Sequence, residues 1–267
     1  MTASQDRYTF DNAAPTAAQR VRLLAESIDG HTTEVLAGLG IAQGWRCLEV
    51  GPGAGTITAW LAARVGPRGR VTALDLDPRH VPGGPTIEVR QDDVRTAALP
   101  DAHFDLIHAR LVLMHLPERD EVLRRLAGAL RPGGLLVVSD WDTTWRRGLL
   151  IAASDPAAAG AFDAYQDALA NLVVSNGGDL AWASRVPLAM RSTGLVGITG
   201  VGHNRLHAGG DAGCLLHAAN THQLADPLRR WGLTVEQIER VRAAMAHPDT
   251  LIHSYWLYTT VGRRPEE

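Results

Sequence analysis

The residues most able to do chemistry sit in one short run, Glu49-Val50-Gly51-Pro52-Gly53-Ala54-Gly55. An apolar, β-prone stretch, Cys47 to Val50, precedes the glycines, and Thr56 to Val65 after them reads as a helix. Glycine lets the chain turn sharply and lets a ligand approach backbone with no Cβ in the way. The unpaired N–H groups of the next helix then face that ligand. A strand, a glycine-rich turn and a helix N-terminus in this order open a doubly wound, nucleotide-binding α/β fold. The dinucleotide fingerprint spaces its glycines Gly-x-Gly-x-x-Gly. Here Gly51, Gly53 and Gly55 alternate instead, and the acid Glu49 precedes them.

Further acids recur where such a fold needs them. Arg70 to Asp75 reads as a second strand ending in a carboxylate, with Leu76 beside it. The distance from the glycine loop suits one βαβ unit with an acidic ribose ligand. Thr86 to Arg90 is a third strand, followed by Gln91-Asp92-Asp93-Val94. Phe104 to Arg110 is a fourth, and Pro117 to Leu130 a helix with Val122, Leu123 and Leu126 inward and Arg124 and Arg125 outward. Arg131-Pro132-Gly133-Gly134 reads as a tight turn before a fifth strand, Leu135 to Ser139.

The pattern Glu-x-Gly-x-Gly-x-Gly resembles motif I of the class I S-adenosylmethionine-dependent methyltransferases. The run FDLIHARLVLMHLP, a helix, and LRPGGLLVVSD resemble the later motifs of that family, so the likeness covers residues 45 to 142. It implies a Rossmann-like fold: a seven-stranded, mostly parallel sheet with helices on both faces, an N-terminal helical cap and helical insertions over the active site. It implies S-adenosylmethionine as cofactor and S-adenosylhomocysteine as product. By that resemblance Glu49, Gly51, Gly53 and Gly55 form the cofactor loop, Asp75 with Leu76 meets the ribose, and Asp92, Asp93 and Val94 meet adenine. Ala109, Arg110 and Tyr8 are candidates for the methionine end, and His115 lines the same site or stays at the surface.

The domain reading is residues 1–40 as a helical cap or lid, 41–142 as the cofactor half and 143–267 as substrate-side helices and last strands, one compact domain overall. Pro15 to Leu39 carries the cap's helical periodicity, and Tyr8 and Phe10 are the large apolar groups of an otherwise polar leader. Past Asp140 the family signal fades. Helices are expected over 155–174, 180–193, 212–230 and 234–246, with strands over 196–205 and 251–261.

Composition excludes several classes. All 26 basic residues are Arg, which removes Schiff-base and P-loop lysine chemistry. A net charge of −3 gives no basic field for nucleic acid. No segment is long and apolar enough to span a membrane, and two cysteines make no disulfide framework. A cytoplasmic monomer or homodimer is the expectation.

The acceptor side is read from residue types. Five of seven Trp, Trp141, Trp145, Trp182, Trp231 and Trp256, follow Asp140. They lean toward an apolar or aromatic small molecule, with Trp141, Trp145 and His253 as candidate contacts. The late histidines have no Cys or carboxylate cluster beside them, so no metal is expected. His222, with Asp142, is the candidate general base. The function expected is methyl transfer to a small molecule, with oxygen favoured as the methylated atom in specialised metabolism. N- or C-methylation, or a cofactor-binding cyclase or partner subunit, are the alternatives. An NAD-dependent oxidoreductase is disfavoured by the glycine spacing.

Overall fold

Short apolar runs bounded by glycine and proline set the strands, and the computed structural model describes residues 8–266. In chain order the strands are β1 Arg46–Val50, β2 Arg70–Asp75, β3 Ile87–Gln91, β4 Phe104–Arg110, β5 Leu130–Asp142, β6 Leu150–Ala152, β7 Val196–His203, β8 Leu206–Ala208, β9 Leu251–His253 and β10 Trp256–Arg263. The helices are α1 Ala17–Gly38, α2 Thr56–Val65, α3 Arg119–Ala129, α4 Ala158–Ser175, α5 Trp182–Ser192, α6 Ala212–Gln223, α7 Ala225–Arg230 and α8 Val235–Ala246. A 3₁₀ turn covers Leu113–His115.

The described residues divide into two compact units, one of residues 28–141, 181–203 and 257–266 and one of residues 8–27, 142–180 and 204–256. The first holds a seven-stranded sheet in the order β3-β2-β1-β4-β5-β10-β7. β3, β2, β1, β4 and β5 run parallel to one another, and β7 runs antiparallel to β10. β1 and β4 are buried along most of their length, as central parallel strands covered on both faces must be. Ile57, Leu61 and Val65 of α2 and Leu36 of α1 pack on Cys47, Val71, Leu106, Leu135 and Val137. Each such side chain contributes roughly 1.5–3 kcal/mol on burial. Cys47 lies inside this core, and burial pushes its thiol pKa up.

The second unit contains α4, α6, α7 and α8 with a small antiparallel sheet, β6-β9-β8. α8 opens with a capping box: the Thr234 side chain accepts from Gln237 N–H at 3.1 Å and the Gln237 side chain accepts from Thr234 N–H at 2.9 Å. Arg242 of α8 holds the Thr221 hydroxyl and carbonyl of α6 at 3.0 and 2.8 Å.

Several elements differ from the sequence expectation. The Arg131–Gly134 turn is part of β5, where the register slips so that Leu130 pairs with Phe104 but Leu135 with Leu106. Gly133 takes φ +75° there, and a Cβ on Gly134 would lie 2.9 Å from the Phe104 carbonyl oxygen. The glycines therefore make a bulge inside the strand. The expected strand 251–261 is two strands in two different sheets. Between them Ser254 N–H donates to the Arg205 carbonyl at 2.8 Å, and its side chain accepts from Arg205 N–H at 2.9 Å. The expected strand 196–205 ends at His203, and the chain resumes as β8 in the small sheet. Three-residue strands carry too little alternation to be seen in sequence.

Candidate functional site

Parallel pairing sets the strand ends level. Val50 pairs with Leu74 and Ala109, and Asp75 pairs with Gln91. The C-terminal edge of the sheet thus brings together the glycine loop, Asp75-Leu76, Asp92-Asp93 and Ala109-Arg110, where open α/β sheets bind ligands.

The three glycines serve different ends. All have positive φ: +66° at Gly51, +56° at Gly53 and +72° at Gly55. A Cβ on Gly51 would sit 2.3 Å from the Val112 Cγ2 and one on Gly55 2.3 Å from the Pro82 Cδ, so these two permit close packing of protein on protein. A Cβ on Gly53 would meet nothing within 4 Å. Gly53 is therefore the position where the loop presents bare backbone. Gly55 caps α2 without any side-chain bond, leaving the helix N–H groups to the ligand side.

Glu49 is buried beneath this loop. One carboxylate oxygen accepts from the Thr58 hydroxyl, and the other lies 3.7 Å from His108 Nδ1. Glu49 thus ties β1 to the first turn of α2 and holds the loop's shape from below. Asp75 is half-buried at the end of β2. Burial raises its pKa, against backbone N–H groups of Asp77, Gly53 and Leu76 that favour the charged form. The Asp77 N–H bond measures 2.9 Å. Leu76 beside it is 53% exposed, an apolar wall next to an acid.

After β3 the two acids are ion-paired. Asp92 accepts from Arg90 at 2.6 Å, and that bond lowers its pKa. Burial works against ionisation of Asp93, but the Arg95 side chain and N–H outweigh it and its pKa is lowered. Arg125 corrects its expected outward orientation. Its guanidinium donates to the Val94 carbonyl at 2.7 Å and to the carbonyls of Arg95 and Ala97, fastening the loop that Asp92 and Asp93 begin. Arg124 is exposed and pairs with Glu121.

After β4 the Arg110 guanidinium goes to Asp29 and the Thr32 hydroxyl of α1, both at 2.8 Å, so only its backbone stays at the edge. Leu111 adopts φ +55°, a conformation disfavoured for a branched residue. Its strain turns the chain so that Val112 covers Gly51 and His115 lies half-buried in the 3₁₀ turn. Asp140 supports this turn. Its carboxyl is buried and faces the N–H groups of Val112 and Met114, the Trp182 indole and Arg119, none meeting it at full hydrogen-bond geometry. Burial pushes its pKa to about 8. The residue types alone singled out neither Asp140 nor Arg125; an acid closing the apolar run Leu135–Ser139 was the available signal for the first.

Residues 48–138 match the family described as methyltransferase domain. Methyltransferase str3 from Strobilurus tenacellus is 36% identical over 146 residues, 52% of this chain and 50% of that protein. A ubiquinone/menaquinone biosynthesis C-methyltransferase from Laribacter hongkongensis is 27% identical over 118 residues, 41% of this chain and 48% of that one. The chain spans about half or less of the curated relatives it matches. A Haemonchus contortus phosphoethanolamine N-methyltransferase 2, solved with phosphomonomethylethanolamine and S-adenosylhomocysteine, superposes with a TM-score of 0.60 at 14% identity, covering 98% of this chain and 61% of that one. That likeness shows the fold, a Rossmann-like α/β one.

The other expected residues fall as follows. Trp141 is half-buried at the end of β5, and Trp145 is 57% exposed. Asp142 accepts from the Thr144 N–H and hydroxyl, closing a local turn. His253 is in β9, its N–H donating to the Leu149 carbonyl at 2.8 Å. His222 is exposed in the last turn of α6, its pKa lowered by partial burial and by Arg242. Tyr8 is exposed and meets Phe10 edge-on at 6.1 Å, while Phe10 is buried under the Arg20 guanidinium. The Asn176 amide donates to the Thr9 hydroxyl and the Gln223 amide to the Asp11 carbonyl, so the leader from Tyr8 on is tied to α4 and α6. The lid expected over residues 1 to 12 includes 1 to 7, which lie outside the described residues. Among the described residues no helix is long and apolar enough to cross a membrane, and no His, Cys, Asp and Glu group could hold a metal.

Proposed function

We propose that this chain binds S-adenosylmethionine at the C-terminal edge of its large sheet and transfers the methyl group to a small molecule, at oxygen. The observation that carries the reading is Gly53: a left-handed residue with open space before it, level with the half-buried carboxylate of Asp75. The cofactor supplies an activated methyl on a sulfonium with a neutral leaving group. The chain's part is alignment, which can supply roughly 7–11 kcal/mol of barrier reduction. Gly53 presents backbone, Gly51 and Gly55 shape the loop, Asp75 with Leu76 meets the ribose hydroxyls, Asp92, Asp93 and Val94 meet adenine, and the Ala109-Arg110 backbone with His115 and Tyr8 serves the methionine end.

Trp141, Trp145 and His253 are proposed as acceptor contacts, and His222 as the general base, with Asp142 the next candidate for that role. The lowered pKa of His222 keeps its imidazole neutral at pH 7 and able to take a hydroxyl proton. C-methylation is the second reading, favoured by the C-methyltransferase from Laribacter hongkongensis.

The deciding experiment uses S-adenosylmethionine with a carbon-13 methyl and a panel of phenols, alcohols, amines and quinols. The chemical shift of the transferred methyl separates O-, N- and C-products. Methyl ethers are expected, with turnover cut about 10²–10⁴-fold in His222→Ala and its acidic limb lost. A C-methyl product, or an unchanged pH profile in the variant, overturns the oxygen assignment or the base respectively.

A further inference from the structure

In the helical unit, six side chains that the cofactor site does not use form one buried polar and aromatic group: Phe162, Tyr165 and Gln166 of α4, His217 and Asn220 of α6, and Tyr255. His217 packs edge-on against three rings, at 5.1 Å from Phe162, 5.8 Å from Tyr165 and 6.0 Å from Tyr255. Their polar atoms form two short chains. Asn220 Nδ2 donates to the Tyr165 hydroxyl at 3.4 Å, which leaves that hydroxyl's own proton for His217 Nδ1 at 3.3 Å. The Tyr255 hydroxyl donates to Gln166 Oε1.

Both chains stop short. Gln166 Nε2 and Asn220 Oδ1 are buried and have no hydrogen-bond partner among the described residues. Gln166 is 1% exposed and Asn220 7%. Buried polar groups are ordinarily satisfied, and an unmet one is costly. These two are of opposite kind, one donor and one acceptor, so a single group that both accepts and donates would complete them. A hydroxyl does this. A carboxylate has no proton for Asn220 Oδ1, and an ammonium has no lone pair for Gln166 Nε2. Charge is also disfavoured here: burial and the nearby His207 hold His217 neutral, with its pKa down to about 3.

We propose that this group is a recognition site for the hydroxyl end of an uncharged aromatic ligand. Phe162, Tyr165, His217 and Tyr255, which pack ring against ring, supply the aromatic contacts, and Gln166 and Asn220 read the hydroxyl.

The test titrates the full chain, with and without S-adenosylhomocysteine, with β-naphthol, its methyl ether and β-naphthoate, following ligand fluorescence. β-Naphthol is expected to bind about tenfold or more tightly than either analogue, the discrimination of an otherwise unpaired buried site. Gln166→Leu and Asn220→Leu should abolish the preference and leave S-adenosylhomocysteine affinity unchanged. Tyr165→Phe removes one hydroxyl from the chain at constant shape and should reduce the preference even if the Leu variants do not fold. Equal binding of β-naphthol and its ether, binding of none of the three, or an undiminished preference in a folded variant overturns the site, since the unmet groups then hold only water. Failure of S-adenosylhomocysteine to bind, with the β-naphthol preference intact, overturns the methyl-transfer reading alone.

Discussion

The two units treat polar groups in opposite ways. At the edge of the large sheet the acids are ionised and held by arginines: Asp92 by Arg90, Asp93 by Arg95. Arg125 ties the loop behind them through backbone carbonyls. In the helical unit the buried polar groups are neutral and meet one another: Tyr165 with His217 and Asn220, Tyr255 with Gln166. The first arrangement suits a charged, nucleotide-like ligand recognised by backbone and acids. The second suits an uncharged one recognised by side-chain amides. The contrast is between a site proposed on backbone geometry and one proposed on packed side chains.

The largest effect expected comes from breaking the backbone half. Gly51→Val should abolish S-adenosylhomocysteine binding and lower stability, because its Cβ would lie 2.3 Å from Val112 Cγ2. Gly53→Ala separates ligand from scaffold. Its side chain meets no protein atom within 4 Å, so the fold loses only about 1 kcal/mol for a left-handed alanine. Calorimetry should nonetheless show binding weakened about tenfold or more. Normal affinity in Gly53→Ala would move the ligand off this loop.

A second effect sharpens the contrast through pH, since each unit buries one neutralised group. The Asp140 carboxyl has its pKa raised by burial from 3.8 to about 8. The unfolded chain releases that proton near pH 4 and the folded chain only near 8. Stability is therefore lost as pH rises across that window, by about 6 kcal/mol at most. His217 has its pKa lowered by burial from 6.5 to about 3. Its contribution is present above 6.5 and lost as pH falls toward 3. Asp140→Asn should raise the melting temperature by about 5–10 °C at pH 8 and little at pH 4.5. His217→Gln, which keeps an acceptor for Tyr165, should compare best with the parent at the acid end. Melting differences that do not diverge with pH would mean that these groups titrate normally.

The same contrast explains what could be read without coordinates. The glycine loop, Asp75 and the strand order are local signals: short apolar runs, turn residues and acids at fixed offsets. Their geometry follows from parallel pairing, which sets Val50 beside Leu74 and Asp75 beside Gln91. The neutral group in the helical unit has no such signal. Gln166 and Asn220 lie 54 positions apart on different helices, and Tyr255 follows 35 later, so only tertiary packing unites them. The strand 251–261 failed for a related reason. Its hydrophobicity is continuous, and the break at Ser254 depends on Arg205, which is distant in sequence. Arg125 was read as solvated because helix periodicity places it near Arg124; the carbonyls it meets come from a separate loop.

The smallest effect tests that last residue. Arg125→Met keeps much of the apolar stem but removes the donors to the carbonyls of Val94, Arg95 and Ala97. A hydrogen bond from a charged donor is worth about 1.5–3 kcal/mol where it is formed, and much of that is recovered here by water at a half-buried loop. The proposed role of this loop is to hold adenine, so the loss should fall on ligands that carry adenine. S-adenosylhomocysteine should bind about three- to tenfold more weakly to the variant. S-ribosylhomocysteine, which keeps the ribose and amino acid but lacks the base, should bind both proteins alike. Arg124→Met is the control: its guanidinium is exposed and pairs only with Glu121 of its own helix, so neither ligand should notice it. Equal weakening of both ligands by Arg125→Met would show that the arginine supports the sheet edge as a whole. The adenine role of Asp92, Asp93 and Val94 would then lose its support, while the glycine loop and Asp75 would keep theirs.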